Sequence, residues 1–323
     1  MVQILAIDGN NIGYASMYTP ALSRLSHDGQ PTGGILGLVQ SVIRIAKRYP
    51  EAVPIVLWDG HAAWRKELCP EYKENRRDRP DKVAVAESWK RQQPWANLFL
   101  LQMGVLQMRA PDAEADDLAG RLAFAHERFA DFGIDGMTLV SGDTDWWQAL
   151  SRHVTWFTPI TDGEMTLADL QTDKAKDGPF SGTEEYLLAK AMAGDPSDNI
   201  PGVQRVGIPT ALKLLRLHEG LDGIAAAVAS GRAKDKASAA IVDAIDLIER
   251  NRRIMDWRLA PPSAETTGIA RLSFSPDDCR DLCAHFGFDR LAHRLEPGGE
   301  WDTLQRSFLP EVPAAFDFAE FTA

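Results

Sequence analysis

Three short apolar runs in this chain of 323 residues end in an aspartate or lead into one. Ile4-Leu5-Ala6-Ile7 runs into Asp8, and Val53 to Trp58 runs into Asp59. Met137 to Val140 passes through Ser141-Gly142 to Asp143, with Asp145 two residues on. Glu114, Asp116 and Asp117 open a segment of helical spacing, and Gly194-Asp195-Pro196-Ser197-Asp198-Asn199 adds two more acids. Each of these read alone is a helix cap or a turn former, and acids in a first helical turn are favoured by the helix dipole. Together they are nine carboxylates from five segments, which repel if they converge, so convergence requires a compensating cation. Ligands that are all oxygen point to magnesium or manganese rather than zinc or copper. Magnesium held by few protein groups works on phosphate, and two such ions clamp the attacking and leaving oxygens of a phosphodiester.

The basic residues then indicate which phosphate. Trp64 to Lys82, WRKELCPEYKENRRDRPDK, holds Arg65, Lys66, Lys73, Arg76, Arg77, Arg79 and Lys82 against five acids, a local charge of +2 in a chain of −11. It lacks a strong apolar period and is expected to project from the fold; a solvated surface helix is the plainer alternative. Tyr72 within it offers a stacking surface for an unpaired base. Further on, Gly202-Val203-Gln204-Arg205-Val206-Gly207 reads as a glycine-bounded hairpin before a helix at Ile208 to Leu217 that carries Lys213 and Arg216. Amides at such a turn hold phosphate without reading bases.

These groups need a scaffold. The apolar runs read as buried parallel strands, and the segments between them have helical period, as in Ile35, Leu38, Val39, Val42, Ile43 and Ala46. Strands alternating with helices predict an α/β sheet covered on both faces. Ligands in such sheets collect outside the carboxyl ends of the strands, where Asp8, Asp59 and Asp143 fall. After residue 183 the pattern turns helical, and Thr158 to Gly182 is expected to be a polar connection. Arg250, Arg252 and Arg253 form a basic run that reads equally as phosphate contacts or a solvated helix face.

Composition narrows the classes. Hydrophobic residues are 45% and charged residues 25%, ordinary for a globular chain, so disorder and collagen-like repeats are excluded. No run is long enough to span a membrane, and MVQILAIDGN is no signal peptide, so a cytoplasmic protein without membrane partners is expected. Three cysteines, Cys69, Cys279 and Cys283, make no disulfide framework, and the i, i+4 pair lacks the further ligands of a closed zinc site. The net charge of −11 repels nucleic acid on average, so DNA contacts must rest on local basic patches.

Five blocks in order carry a resemblance: IDGNN at 7–11, DGQPTGGILG at 28–37, WRKELCPEYKENR at 64–76, EADD at 114–117 with SGDTD at 141–145, and GDPSDNIPGVQRVG at 194–207. Over roughly residues 3–290 the chain resembles the 5'-nuclease or flap endonuclease family, which includes phage 5'-exonucleases and the 5'-nuclease domain of bacterial DNA polymerase I. The resemblance implies an α/β fold with a PIN-like central, mostly parallel sheet flanked by helices. It implies a nuclease domain at 1–182 with a helical arch at about 60–95. A helix-three-turn-helix duplex-binding region at 183–255 would follow, and then C-terminal helices and a tail, 256–323, packing back on the nuclease. By resemblance Asp8, Asp59, Glu114 and Asp116 hold a first Mg2+ with Asp117 near it. Asp143, Asp145, Asp195 and Asp198 surround a second, and Mn2+ can substitute. Lys73 and Arg76 match catalytic arch residues, and Tyr72 and Arg65 lie beside them as DNA contacts. Gly202, Arg205, Gly207 and Lys213 belong to the duplex grip, whose carbonyls often hold K+.

There are departures. The arginine that often follows the family's aromatic is absent, because Tyr14 is followed by Ala15 and Ser16. Thr144 replaces a frequent lysine, Trp146-Trp147 replace leucines, and Arg205 stands where glycine is common. The function implied is metal-dependent 5'-3' exonuclease and flap endonuclease activity in replication and repair, on DNA with a 5' end or flap beside a duplex, and on RNA–DNA hybrid at primers. The implied setting is a bacterial or phage-infected cell. The aromatic acidic tail, with Phe316, Phe318 and Phe321, reads either as a packed terminus or as a replication-protein contact. Two rivals stand beside this reading: a DNA-junction-binding protein without catalysis, and a related PIN-like ribonuclease.

Overall fold

The computed structural model describes residues 2–125, 134–263, 267–269 and 275–296. Strands β1 (Val2–Asp8), β4 (Ala52–Trp58), β5 (Leu106–Arg109), β6 (Ile134–Val140) and β7 (Val154–Thr158) form a parallel core. Antiparallel edge strands β8 (Gly163–Met165) and β9 (Thr267–Ile269) flank it, in the order β8-β7-β6-β1-β4-β5-β9. A small hairpin, β2 (Ser26–His27) with β3 (Gln30–Pro31), lies outside the sheet. The three strands expected from their apolar runs are the three neighbours at its centre.

Alternation along β1 assigns its faces. Ile4 and Ala6 enter one apolar cluster and Leu5 and Ile7 the other, all fully buried, as a strand covered on both sides requires. On the second face lie α1 (Gly9–Tyr18), α3 (Gly33–Arg48) and α5 (Pro80–Gln102), with α2 (Pro20–Ser23) at their edge. The α3 stripe Ile35, Leu38, Val39, Val42, Ile43 and Ala46 is buried along its whole length. The helix Pro276–Phe286 packs on α5 and buries Cys279 and Cys283 as free thiols, like Cys69. On the first face lie α6 (Ala115–Phe124), α4 (Ala63–Leu68) and the helices between Thr183 and Met255.

The chain builds β1, β4 and β5 in one direction and then returns to β1's other side for β6 and β7. The order therefore reverses between β1 and β6, and Asp8 and Asp143 straddle this switch point, where α/β sheets place their ligands.

Two expectations are corrected. The 158–182 connection holds β8 and the turn of helix Leu167–Leu170, and it buries Leu170, Ala175 and Phe180 instead of running polar over the surface. The first part of the 64–82 segment packs instead of projecting: Arg65, Cys69 and Tyr72 are buried against the fold, while Arg76 and residues 79–82 are exposed. The tail phenylalanines lie outside the described residues. No helix among the described residues is long and apolar enough to cross a membrane.

Candidate active site

Asp8 caps α1. Its Oδ1 accepts from the Asn11 amide at 2.9 Å and its Oδ2 accepts from Ser141 Oγ at 2.9 Å. The strand end thus turns directly into a helix start, with the carboxylate fixed between two donors. Asp59 is fixed the same way, accepting from Asn10 Nδ2 at 2.7 Å and from the Ala115 amide at 2.9 Å. Asn10 is itself held by Trp89 Nε1 and Gln93 Nε2.

Asp116 accepts from Trp146 Nε1 at 2.9 Å, and Asp143 caps a 3-10 turn (Thr144–Ala149) by accepting from the Asp145 amide at 2.9 Å. Burial first, and then the neighbouring Asp59 and Asp143, push the Asp8 carboxyl up to about 7 against the Asn11 and Ser141 hydrogen bonds. Burial, then Asp143 and Asp8, hold Asp116 well above the usual carboxylate range. Asp143 is raised too, by burial and by Asp198 and Asp195, against Lys190. Three acids that resist ionisation together mark a place of concentrated negative charge.

The loop Gly194–Gly202 brings in two more acids. Gly194 has a left-handed φ of 73°, and a side chain there would begin 2.3 Å from the Gly202 amide nitrogen. One at Gly202 would begin 2.0 Å from the Ala193 carbonyl. The two backbones cross, so glycine is required at both places. The crossing closes a bridge between Asp195 and Ile200, with 2.8 Å bonds in each direction. Asn251 ties the loop down by donating to Ala191 O and Pro201 O.

The 71–76 segment is stitched to this loop. The Lys73 amide donates to Asp198 O at 2.8 Å, Asn75 Nδ2 to Pro196 O at 2.8 Å, and Asn199 Nδ2 to Glu71 O at 2.7 Å. Lys73 Nζ thereby reaches both Glu114 oxygens at 2.9 Å and lies 3.7 Å from Asp198, while Arg76 pairs with Asp198 at 2.6 Å. Burial would raise the Glu114 carboxyl, but Lys73 and Arg65 outweigh it and hold it down at about 2.

Three expected roles are corrected. Asp117 is 0% exposed, and both its oxygens are taken by Arg65, at 2.8 and 2.6 Å, which also lies 3.4 Å from Glu114, so Asp117 is neutralised by a buried guanidinium and its Oδ2 also caps the Glu114 amide. Arg65, 3% exposed and also donating to Ile254 O, is a buried counter-ion and has no surface for DNA. Tyr72 is 5% exposed with its hydroxyl on Glu114 at 2.9 Å, so no ring face is open to a base.

Lys190 was not anticipated. Its ammonium pairs with Asp145 and lies 3.7 Å from Asp195. Burial would raise Asp195, but Lys190 and the Ser197 donors bring it below its ordinary value. In the sequence Lys190 reads as an ordinary cation in the last turn of its helix. Ser141, Asn10 and Trp146 were also missed; only Ser141, a small polar residue at a strand end, carries a signal.

The Gly202–Gly207 segment is a turn closed by the Val206 amide on Val203 O at 3.0 Å, with Arg205 left-handed at φ 64°. Arg205, Gly207 and Lys213 are exposed and Gly202 is half-buried. Pro201 O and Val203 O already accept hydrogen bonds, and the exposed Arg205 adds a positive charge beside the turn.

Among the described residues no three acidic, histidine or cysteine side chains close around one point as a ready metal cage. The pairings account for this, because Lys73 and Lys190 draw Glu114, Asp198, Asp145 and Asp195 onto ammonium groups. The donor set still suits a hard divalent cation, being all carboxylate and disposed so that, among the described residues, no side-chain cation lies at hydrogen-bond distance from Asp8, Asp116 or Asp143.

Comparison with known proteins places the chain. Residues 3–176 match the model of the 5'-3' exonuclease N-terminal resolvase-like domain, and residues 182–269 match the 5'-3' exonuclease C-terminal SAM fold. The thermostable DNA polymerase I of Thermus filiformis is 32% identical over 216 residues, 66% of this chain and 23% of the polymerase. The chain spans only about a quarter to a third of such polymerases. A 5'-3' exonuclease of Mycobacterium tuberculosis is 28% identical over 320 residues, 91% of this chain and 96% of that protein. Among solved structures, bacteriophage T5 5'-exonuclease with bound zinc superposes with a TM-score of 0.65 at 22% identity, covering 95% of this chain and all of that one. The flap endonuclease-1 of Methanococcus jannaschii gives 0.58 at 15% identity, over 95% and 92% of the two chains. With two consecutive family models accounting for its sheet and for its helical region, the chain belongs to the 5'-3' exonuclease family.

Proposed function

We propose that this protein is a metal-dependent, structure-specific nuclease that hydrolyses DNA phosphodiesters at a 5' end or 5' flap beside a duplex. The observation that carries the reading is the set of acids at the switch-point rim, with Asp8, Asp116 and Asp143 all raised by burial and mutual repulsion. A relative's structure, the bacteriophage T5 flap endonuclease, was solved with DNA and metal ions.

Asp8, Asp59, Glu114 and Asp116 would hold one Mg2+, and Asp143, Asp145, Asp195 and Asp198 a second, with Mn2+ able to replace either. When bound, the ions supply Lewis-acid activation of water and neutralise charge at the phosphate. The chain's own residues do the rest. Lys73 and Arg76, which pair with Glu114 and Asp198 in this structure, would face the non-bridging oxygens of the scissile phosphate and stabilise charge in the transition state. Ser141 and Asn11 hold Asp8, and Trp146 holds Asp116, so the carboxylates need not reorganise. No side chain acts as nucleophile.

Residues 1–182 form the nuclease unit in this reading, with residues 60–95 bordering the threaded strand. The 183–255 helices grip the duplex backbone through the Gly202–Gly207 turn, Arg205 and Lys213. Selectivity then comes from shape, and an RNA–DNA hybrid with a 5' end is a competent substrate.

The test is cleavage of a 5'-flap duplex labelled on the flap strand, by purified protein in magnesium, in chelator, and by the Asp143→Asn variant. Products ending near the junction, lost in both controls, support the reading. Binding without cutting in magnesium or manganese overturns it in favour of a junction-binding protein.

A further inference from the structure

Two asparagines hold the segment that carries Lys73. Asn199 Nδ2 donates to Glu71 O at 2.7 Å and Asn75 Nδ2 donates to Pro196 O at 2.8 Å, across 128 and 121 residues of chain. Between them the Lys73 amide donates to Asp198 O at 2.8 Å. The bonds fall on residues 71, 73 and 75 of one segment and on 196, 198 and 199 of the other, so Lys73 sits at the centre of the seam.

Lys73 needs such a hold. It is the third residue of a turn closed by the Glu74 amide on Glu71 O at 3.0 Å, and its φ of 58° and ψ of 16° are left-handed. Lysine has no local interaction that favours this region, whereas glycine and asparagine occupy it readily. Contacts from outside the turn must therefore keep the lysine there. In that conformation its Nζ reaches both Glu114 oxygens at 2.9 Å and lies 3.7 Å from Asp198, the residue whose carbonyl holds its amide.

Asn199 suits its place on two counts. Its own backbone is left-handed at φ 57°, one residue before the Asp195–Ile200 bridge closes the acidic loop, and asparagine tolerates that conformation. Its carboxamide also supplies the N–H that the Glu71 carbonyl requires, which an aspartate of the same shape lacks. Asn75 is held by its donor end, since its Oδ1 is buried without a hydrogen-bond partner among the described residues.

We infer that Asn199 and Asn75 are positioning residues for Lys73: they clamp the 71–76 segment to the acidic loop, so that the ammonium and the Asp195 and Asp198 carboxylates meet the scissile phosphate as one unit. This rests on the nuclease reading for what Lys73 does. In this role neither asparagine touches the reacting atoms. Both act through geometry, where a displacement of about 1 Å costs on the order of 100-fold in rate.

The test uses the full chain with Asn199→Gly, which keeps the left-handed backbone and removes the donor, and with Asn75→Ala. Amide hydrogen exchange in chelator reads the clamp. Peptides covering residues 71–76 should exchange at least about tenfold faster in Asn199→Gly, while those of β1 keep the wild-type rate. Single-turnover cleavage of a 5'-flap duplex in magnesium reads the chemistry. The maximal rate should fall roughly 10- to 100-fold for Asn199→Gly and by a smaller factor for Asn75→Ala, with the half-saturating enzyme concentration changed less than about threefold. Adding Asn199→Gly to Lys73→Ala should lower the rate no further than Lys73→Ala alone, because the asparagine acts through the lysine. Unchanged exchange at 71–76, equal acceleration in β1, or a further loss in the double variant overturns the inference. A wild type that cuts no faster than Asn199→Gly refutes the clamp alone. A wild type that does not cut, with exchange at 71–76 altered as expected, refutes the nuclease reading alone.

Discussion

Asp8→Asn should make the metal-free protein more stable. The Asp8 carboxyl is 6% exposed and raised from 3.8 to about 7, first by burial and then by Asp59. A folded acid raised in this way contributes stability that is fully present below pH 3.8 and lost as pH climbs through about 7. At pH 8 the ionised group therefore costs up to about 4 kcal/mol relative to the unfolded chain. Asparagine removes the charge and keeps the local bonds: its carbonyl can accept from the Asn11 amide while its amide donates to Ser141 Oγ. Because Asp59, Asp116 and Asp143 still repel one another, roughly 1–3 kcal/mol should be recovered, a rise in Tm of about 2–6 °C for a chain of this size. The assay is thermal unfolding in chelator at pH 8 and pH 5.5. The wild type should gain stability on acidification, the variant less, and the two should approach each other at the lower pH. Saturating magnesium at pH 8 should reverse the order, since the wild type alone keeps its full donor set. A variant less stable than wild type at pH 8 in chelator would show that the rim holds no stored repulsion and would sink the cation argument.

Arg65→Met should cost about 3–5 kcal/mol in urea unfolding by leaving Asp117 charged and buried; adding Asp117→Leu should restore much of it. A variant of normal stability with weakened DNA binding would return Arg65 to the interface. Lys190→Gln should destabilise by about 1–3 kcal/mol in chelator, because Asp145 and Asp195 then face each other uncompensated. Magnesium should restore most of that loss, and an equal loss in both conditions would contradict a cation site between those acids.

Much of this molecule could be read from residue order. Buried parallel strands announce themselves as unbroken apolar runs, and a switch-point sheet must collect their carboxyl ends on one rim, so the meeting of Asp8, Asp59 and Asp143 followed from pattern and topology rules. The amphipathic stripe of α3 and the helix Ile208–Leu217 were legible for the same reason, since period and turn residues are local properties. Side-chain direction is not local. Asp116 and Asp117 are adjacent, but one residue turns a helix by about 100°, which sends Asp116 to the rim and Asp117 to Arg65. Residues 64–82 looked solvent-borne because they lack a period. What buries Arg65 and Tyr72 is the start of α6, through Glu114 and Asp117, and for Arg65 also the end of the helix that reaches Met255. Lys190 likewise acquires its meaning only when its helix delivers the ammonium between Asp145 and Asp195, acids 45 residues before it and 5 residues after it. The sequence alone determined which acids could gather and on what kind of sheet. Tertiary packing decided which of them stand unpaired and resist ionisation and which are held ionised by cations within the fold, because that depends on cations that only folding brings near.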